Sequence, residues 1–192
     1  MKGINRALKD QRLNKAFRIL ESIEDDQVPC IFISYQRKDE SYASEVANYV
    51  MSKQIDVYFD LEDDDLKLSN QKNNPKAVTD AIRNGLNRSD YMLVIVSPDT
   101  YRSPWVPFEV GYAFDKKGDK MKILRHKGIS KTSIPAYLKV KEMLQGTRAL
   151  NSFLNTIRKK HHIYESLLEK GERVKSFSEY SSNPLSKYLD NE

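Results

Sequence analysis

The chain has 192 residues, of which 39% are hydrophobic and 31% are charged. This length suits one domain with a substantial core and is too short for two ordinary domains. No apolar run approaches the roughly 20 residues that a membrane span needs, so we expect a soluble protein without a membrane partner. The N-terminus is too polar for a secretion signal, and the single cysteine, Cys30, cannot form an internal disulfide. These features favour a cytoplasmic protein.

The net charge of +5 raises the question of nucleic-acid binding, because lysine and arginine residues that neutralise phosphates provide much of such affinity. The basic residues are interleaved with 27 acidic ones, and the densest basic cluster, 158–162, falls in a predicted helix. A solvated helix face accounts for it, so we expect no nucleic-acid partner. No Cys/His cluster has metal-ligand spacing, and the acidic run 62–65 lacks the pattern of a calcium loop, so we expect no metal.

The predicted elements begin with a helical extension, because apolar residues recur at roughly helical spacing over residues 4–23. Residues 30–35 are an apolar run rich in β-forming residues, typical of a buried first strand. Apolar positions within 43–51 then predict a helix that begins near Asp39 or Ser41 as its cap.

Residues 55–59 predict a second strand, followed by the polar stretch 60–74. That stretch is longer than an ordinary connection, which is typical of functional or disordered loops. Pro75 begins the next predicted helix, and the apolar run 91–96 predicts the centre of a parallel sheet. The remaining predicted elements are a helix from near Pro104, a fourth strand at 121–125, a fifth element at 134–138, a last helix at 150–157 that extends towards residue 168, and a polar tail at 171–192.

Strand and helix alternate from residue 30 to about residue 158. This alternation predicts a doubly wound α/β fold, with a parallel sheet of about five strands and helices on both faces. The predicted organisation is an N-terminal helical extension at 1–28, an α/β domain at 29–158, and a C-terminal helix with a polar tail at 159–192.

Trp105, the only tryptophan, lies four residues before Glu109 and shortly after the predicted central strand. Residues four apart share a helix face, so the ring and the carboxylate are predicted to point into the same space. Open α/β sheets bind ligands beside the ends of such strands. Taken alone, the pair is more typical of structure, with Trp105 as a core anchor and Glu109 as a solvated carboxylate.

Three short stretches occur in a characteristic order: IFISYQRKD from Ile31 to Asp39, VYFD from Val57 to Asp60, and SPWVPFE from Ser103 to Glu109. Together they resemble a Toll/interleukin-1 receptor (TIR) domain over about residues 29–158. The Trp-x-x-x-Glu element resembles the NAD-cleaving members of that family rather than the adaptors. The resemblance implies a flavodoxin-like TIR fold, with NAD as a substrate and not as a cofactor.

The resemblance implies an NAD nucleosidase or ADP-ribosyl cyclase in which Glu109 is the catalytic carboxylate. A carboxylate beside the ribose can stabilise the oxocarbenium-like sugar that forms when the nicotinamide–ribose bond breaks. Trp105 would provide an apolar wall beside it. The leaving group is already a cationic pyridinium and needs no protonation. His126 therefore receives no role, and we expect it to be a surface histidine.

The resemblance also places Ser34, Tyr35 and Arg37 where the family contacts the nucleotide, and an arginine there suits a phosphate. Asp60 closes the second predicted strand, and Ser97 is expected to line the pocket floor. Ordinary strand packing is the alternative for Ser34 and Tyr35, and a turn is the alternative for Asp60.

Two departures from the family pattern affect these expectations. The segment 61–74, equivalent to the one through which TIR domains touch one another, lacks the Pro-Gly turn of many animal members. Pro107 is compatible with a helix only in its first turn.

The resemblance covers most of the chain. We therefore expect the protein to act through nucleotides outside itself, either by depleting NAD or by releasing a cyclic ADP-ribose isomer. The chain resembles the TIR signalling protein of the Thoeris anti-phage system, in which the product activates a separate effector and TIR domains self-associate. The alternatives are a non-catalytic TIR–TIR interaction module and a virulence factor that interferes with host TIR signalling. A response-regulator-like domain would require paired acidic residues after the first strand, which are missing.

Overall fold

The computed structural model of the chain describes residues 2–8, 28–59, 75–162 and 183–190. Several predictions lie outside these residues: most of the N-terminal helix, Asp60 with the loop 61–74, and the extension of the last helix beyond residue 162.

One sheet of five parallel strands forms the centre of the fold. The strand order is β2-β1-β3-β4-β5, which confirms the predicted α/β fold class. The strands are β1 (Cys30–Ser34), β2 (Asp56–Tyr58), β3 (Tyr91–Val96), β4 (Met121–Arg125) and β5 (Met143–Gln145).

Helices cover both faces of the sheet, as the alternating pattern predicts. The described helices are α1 (Glu40–Ser52), α2 (Pro75–Asn87), α3 (Val106–Lys117), α4 (Gly146–Lys160) and the single turn α5 (Ser186–Leu189). One core packs α1, α4 and α5 against the sheet, and the other packs α2 and α3. Since both faces are covered, every residue of β1 and β3 is buried.

The strand order places a topological switch point between β1 and β3. From β1 the chain moves outward to β2, then returns across the sheet to β3 and continues outward in the other direction to β4 and β5. In open α/β sheets, ligands bind in the crevice at the carboxyl ends of the strands where the direction reverses. Here, the residues at those ends are Ser34 and Val96.

The fifth element differs from the expectation at residues 134–138. This segment contains a 3-10 turn, Ala136–Leu138, and the fifth strand is β5. Pro135 cannot donate to a strand ladder, and Ile134 and Leu138 are buried in the core beneath α3. The strand itself has three residues, of which only Met143 and Leu144 are apolar, and it follows the charged Lys141 and Glu142.

Two segments outside the central fold pack onto it. Asn5 forms a parallel bridge with Val57, so the N-terminal segment lies along the exposed edge of β2. Leu185 and Leu189, in the described part of the predicted polar tail, are buried in the α1/α4 core. Among the described residues, no helix is both long enough and apolar enough to cross a bilayer.

Candidate active site

The last residue of β1 meets the first turn of α3 at the switch point. The Ser34 hydroxyl donates a 2.5 Å hydrogen bond to Oε2 of Glu109. Both residues are buried, with exposed fractions of 1% for Ser34 and 9% for Glu109. The positive end of the α3 dipole favours a carboxylate in this first turn. The structure thus brings together two of the predicted site residues, which are 75 positions apart in the chain.

The start of α3 determines where Glu109 points. The Ser103 hydroxyl accepts a 3.1 Å hydrogen bond from the Val106 N–H, and Pro107 occupies the first turn, where no N–H is needed. The Glu109 N–H donates to the Trp105 carbonyl oxygen at 2.9 Å. Trp105 and Glu109 therefore lie one helical turn apart on one face, as their spacing predicts.

Trp105 is partly buried and begins a row of aromatic rings along α3. Its ring lies 6.2 Å from that of Phe108 in an edge-to-face arrangement, and Phe108 stacks on Tyr112 at 6.3 Å. Such contacts fix the orientation of the indole. The Trp105 ring is therefore packed against α3, one turn before Glu109 in the chain.

A second serine–carboxylate pair lies at the end of β3. Ser97 is 2% exposed, and its hydroxyl donates a 2.5 Å hydrogen bond to Oδ2 of Asp39. Asp39 occupies the predicted cap position of α1, but its side chain makes no capping hydrogen bond. Burial raises the pKa of Asp39 against the opposing hydrogen bond from Ser97, and Asp99 adds to the rise.

Tyr35 and Arg37 lie on the loop that leaves β1. The Tyr35 ring packs 5.0 Å from Phe59 on the α1/α4 side of the sheet, whereas Ser34 bonds to a residue of α3 on the opposite side. Tyr35 directly follows β1, and consecutive residues of an extended chain point to opposite faces, which is why the two predicted contacts separate. Arg37 is exposed and begins the 3-10 turn Arg37–Asp39.

His126 follows β4 and is packed rather than freely exposed. Its ring lies 5.3 Å from Tyr42 and 6.0 Å from Tyr188, and its Nδ1 accepts a 2.9 Å hydrogen bond from the Gly128 N–H. Burial lowers the pKa of His126, against the opposite effect of the Asp39 carboxylate. His126 is partly exposed, which is compatible with the expected surface histidine, and Tyr188 of the C-terminal segment packs against its ring.

The described residues contain no group of three or more His, Cys, Asp or Glu side chains that could hold a metal ion. The switch point instead offers a buried carboxylate that is oriented by a hydroxyl. In a site of low dielectric, a fixed negative charge stabilises positive charge that develops on a substrate. The geometry suits chemistry with a cationic transition state.

A family model described as the TIR domain matches residues 31–158. The matched region runs from β1 to near the end of α4 and contains Ser34, Asp39, Ser97, Trp105 and Glu109. No curated protein sequence matches the chain.

Proposed function

The chain belongs to the TIR domain family, and we propose that it is an enzyme that cleaves the nicotinamide–ribose bond of NAD. The family includes NAD-cleaving members. The observation that carries the proposal is the hydrogen bond from Ser34 to the buried Glu109 carboxylate at the β1/β3 switch point. A carboxylate that served only as a solvated helix residue would not be buried and bonded to a strand of the sheet.

Bond cleavage places positive charge on the ribose, shared between C1′ and the ring oxygen. The Glu109 carboxylate stabilises this charge, and its burial strengthens the effect by excluding water. Ser34 holds the carboxylate in one orientation, so little reorganisation is needed during the reaction. Nicotinamide leaves with the bonding electron pair as a neutral molecule, and no acid is needed to protonate it.

The other predicted site residues take supporting roles in this proposal. Trp105 forms an apolar wall beside the ribose, one turn before the catalytic carboxylate. Ser97 lines the floor of the crevice, and Arg37 contacts the phosphates. Tyr35 shapes the exit of β1 by its packing, and Asp60 remains a predicted substrate contact.

The fate of the ribosyl cation determines the product. Capture by water yields ADP-ribose, whereas capture by the adenine ring or a ribose hydroxyl of the same molecule yields a cyclic isomer. We favour a cyclic product that activates a separate effector, as in the Thoeris anti-phage systems that the sequence resembles. TIR domains commonly self-associate, and self-association is the proposed route to the active assembly.

The test incubates the purified protein with NAD, with and without a crowding agent, and separates the products by chromatography. Wild type should release nicotinamide, and Glu109→Gln should reduce the rate by about 100-fold or more, since one fixed electrostatic group contributes on this scale. Glu142→Gln is the matched control, because Glu142 is exposed and pairs with Lys122 away from the switch point. It should keep the wild-type rate.

Each result has a defined meaning. Equal turnover by wild type and folded Glu109→Gln would contradict the assignment of Glu109. No nicotinamide release under either condition would favour a non-catalytic interaction module. The ratio of linear to cyclic ADP-ribose distinguishes NAD depletion from messenger synthesis.

A further inference from the structure

Two hydrogen bonds join the β1 side of the switch point to the β3 side, and the donor serine lies on a different side in each. Ser34 ends β1 and donates to Glu109, which lies after β3 in the chain. Ser97 follows β3 and donates to Asp39, which lies after β1. The first bond orients the proposed catalytic carboxylate. The second has no part in the proposed reaction, although it lies at the same edge of the sheet.

Local helix structure does not explain the orientation of Asp39. An aspartate at the cap position of a helix ordinarily accepts a hydrogen bond from a backbone N–H of the first turn. Asp39 precedes α1 at that position and makes no such bond. Its carboxylate accepts a hydrogen bond from Ser97 instead. The usual capping interaction is therefore replaced by a contact between the segments that follow β1 and β3.

Ser97 is a fixed anchor for this contact. Its backbone N–H donates to Oγ1 of Thr100 at 2.8 Å, and its hydroxyl oxygen accepts from the Asp99 N–H at 3.0 Å. A serine hydroxyl has one proton, which is directed to Asp39. The exposed ion pair of Lys38 with Asp99, at 3.8 Å, adds a weaker link between the same two segments.

The turn that carries Asp39 also carries Arg37. Within this turn, the Asp39 N–H donates to the Gln36 carbonyl oxygen at 2.7 Å, and the Arg37 N–H donates to Oε1 of Gln36 at 2.6 Å. These bonds join the backbone of the turn into one unit. A tether at Asp39 therefore sets the position from which the Arg37 side chain extends.

We propose that Asp39 is a positioning residue that, through Ser97, holds Arg37 where the diphosphate of NAD binds. This inference rests on the proposed function, because it requires NAD as the ligand. It adds a residue that acts on substrate binding, separate from the Ser34–Glu109 pair, which acts on bond cleavage.

Steady-state kinetics of NAD cleavage test the tether. Asp39→Ala and Ser97→Ala should each raise KM about tenfold, the effect of losing one charged hydrogen bond, and leave kcat within about twofold. Asp39→Asn should restore KM to near the wild-type value, because its amide oxygen can still accept from Ser97. A merely structural role would instead lower kcat and the free energy of unfolding together.

Coupling to Arg37 is the sharper part of the test. Arg37→Ala alone should raise KM, and adding Asp39→Ala to it should change KM by less than about twofold, because coupled residues are not additive. Full additivity would overturn the inference, as would a wild-type KM in Asp39→Ala or Ser97→Ala. Two independent variants keep the test decisive should one of them fail to fold.

Direct binding separates this inference from the proposed function. Calorimetry with NAD should show binding to Glu109→Gln and about tenfold weaker binding to Glu109→Gln/Asp39→Ala. If wild type neither binds nor cleaves NAD, the proposed function fails and this inference fails with it. If wild type cleaves NAD and the two variants bind it equally, only the role of Asp39 is overturned.

Discussion

Two buried carboxylates at opposite ends of the sheet are held in different ways. At the start of β2, Asp56 accepts from the Arg6 guanidinium at 3.0 Å and from the Ile4 N–H at 2.9 Å. At the end of β1, Glu109 accepts from the neutral hydroxyl of Ser34 at 2.5 Å. One carboxylate is bound by a cation and a backbone group, and the other is oriented by a hydroxyl.

Under the proposed function, the difference separates a structural charge, at Asp56, from a catalytic one, at Glu109. The Arg6–Asp56 pair ties the N-terminal segment to β2, where the Val57 N–H also donates to the Ile4 carbonyl oxygen, so the edge of the sheet is covered. A hydroxyl orients a carboxylate without neutralising it. The Ser34 hydroxyl orients the Glu109 carboxylate, and in the proposed reaction that carboxylate acts on the positive charge that develops in the substrate.

Breaking the ion pair should have the largest effect on stability. Arg6→Met should lower the free energy of unfolding by about 3–5 kcal/mol, because it leaves Asp56 buried without its cation. Glu109→Gln should change it by no more than about 1 kcal/mol, since the amide oxygen can accept the same hydrogen bond. Urea unfolding measures both. Asp80→Asn, in the exposed pair with Lys76, is the control and should cost less than about 1 kcal/mol.

One outcome of the urea experiment would contradict the contrast between Asp56 and Glu109. Equal destabilisation by Arg6→Met and Glu109→Gln would mean that Glu109 is as much a structural charge as Asp56. The contrast between the two ends of the sheet would then be wrong.

Removing the Ser34 hydroxyl should have a smaller effect on stability and a specific effect on catalysis. Ser34→Ala should lower the free energy of unfolding by about 1.5–3 kcal/mol and should lower kcat for NAD cleavage about tenfold, because the carboxylate loses its fixed orientation. Ser89→Ala is the matched control, since Ser89 is buried and its hydroxyl donates to the Gly85 carbonyl oxygen at 2.8 Å away from the switch point. The control should lose stability and keep its kcat; a parallel loss of kcat in both variants would remove the special role of Ser34.

Much of the fold follows from local patterns in the sequence. Continuous apolar runs predict buried parallel strands, and the four-residue spacing of Trp105 and Glu109 places them on one face of α3. The strand β5 could not be predicted in this way, because its two apolar residues follow Lys141 and Glu142, whereas the equally short β2 is flanked by the apolar Ile55 and Phe59. Leu185 and Leu189 lie in a polar stretch, and only their burial against α1 and α4 makes them part of the core.

The candidate site was partly predictable, and the missing parts depend on tertiary contacts. The opposite orientations of Ser34 and Tyr35 follow from strand geometry alone. The Ser97–Asp39 bond does not, because local rules assign Asp39 to a helix cap. It joins residues 58 positions apart that meet only through the order of the strands.

The smallest expected effect concerns the pH dependence of stability. It compares two more aspartates, Asp39 at the candidate site and Asp190, which lies beside the first turn of α4. Burial raises the pKa of Asp39, so its contribution to stability is lost as pH rises through its folded value. Burial also acts to raise the pKa of Asp190, but hydrogen bonds from the Thr147 N–H and hydroxyl outweigh it and lower the pKa, so stability is lost as pH falls through the folded value. Urea unfolding between about pH 3 and 7 measures the free energy of unfolding of each variant relative to wild type. As pH rises, this difference should increase for Asp39→Asn and decrease for Asp190→Asn, in each case by less than about 1.4 kcal/mol per pH unit. Equal signs for both variants would show that site and structural carboxylates do not differ in this way.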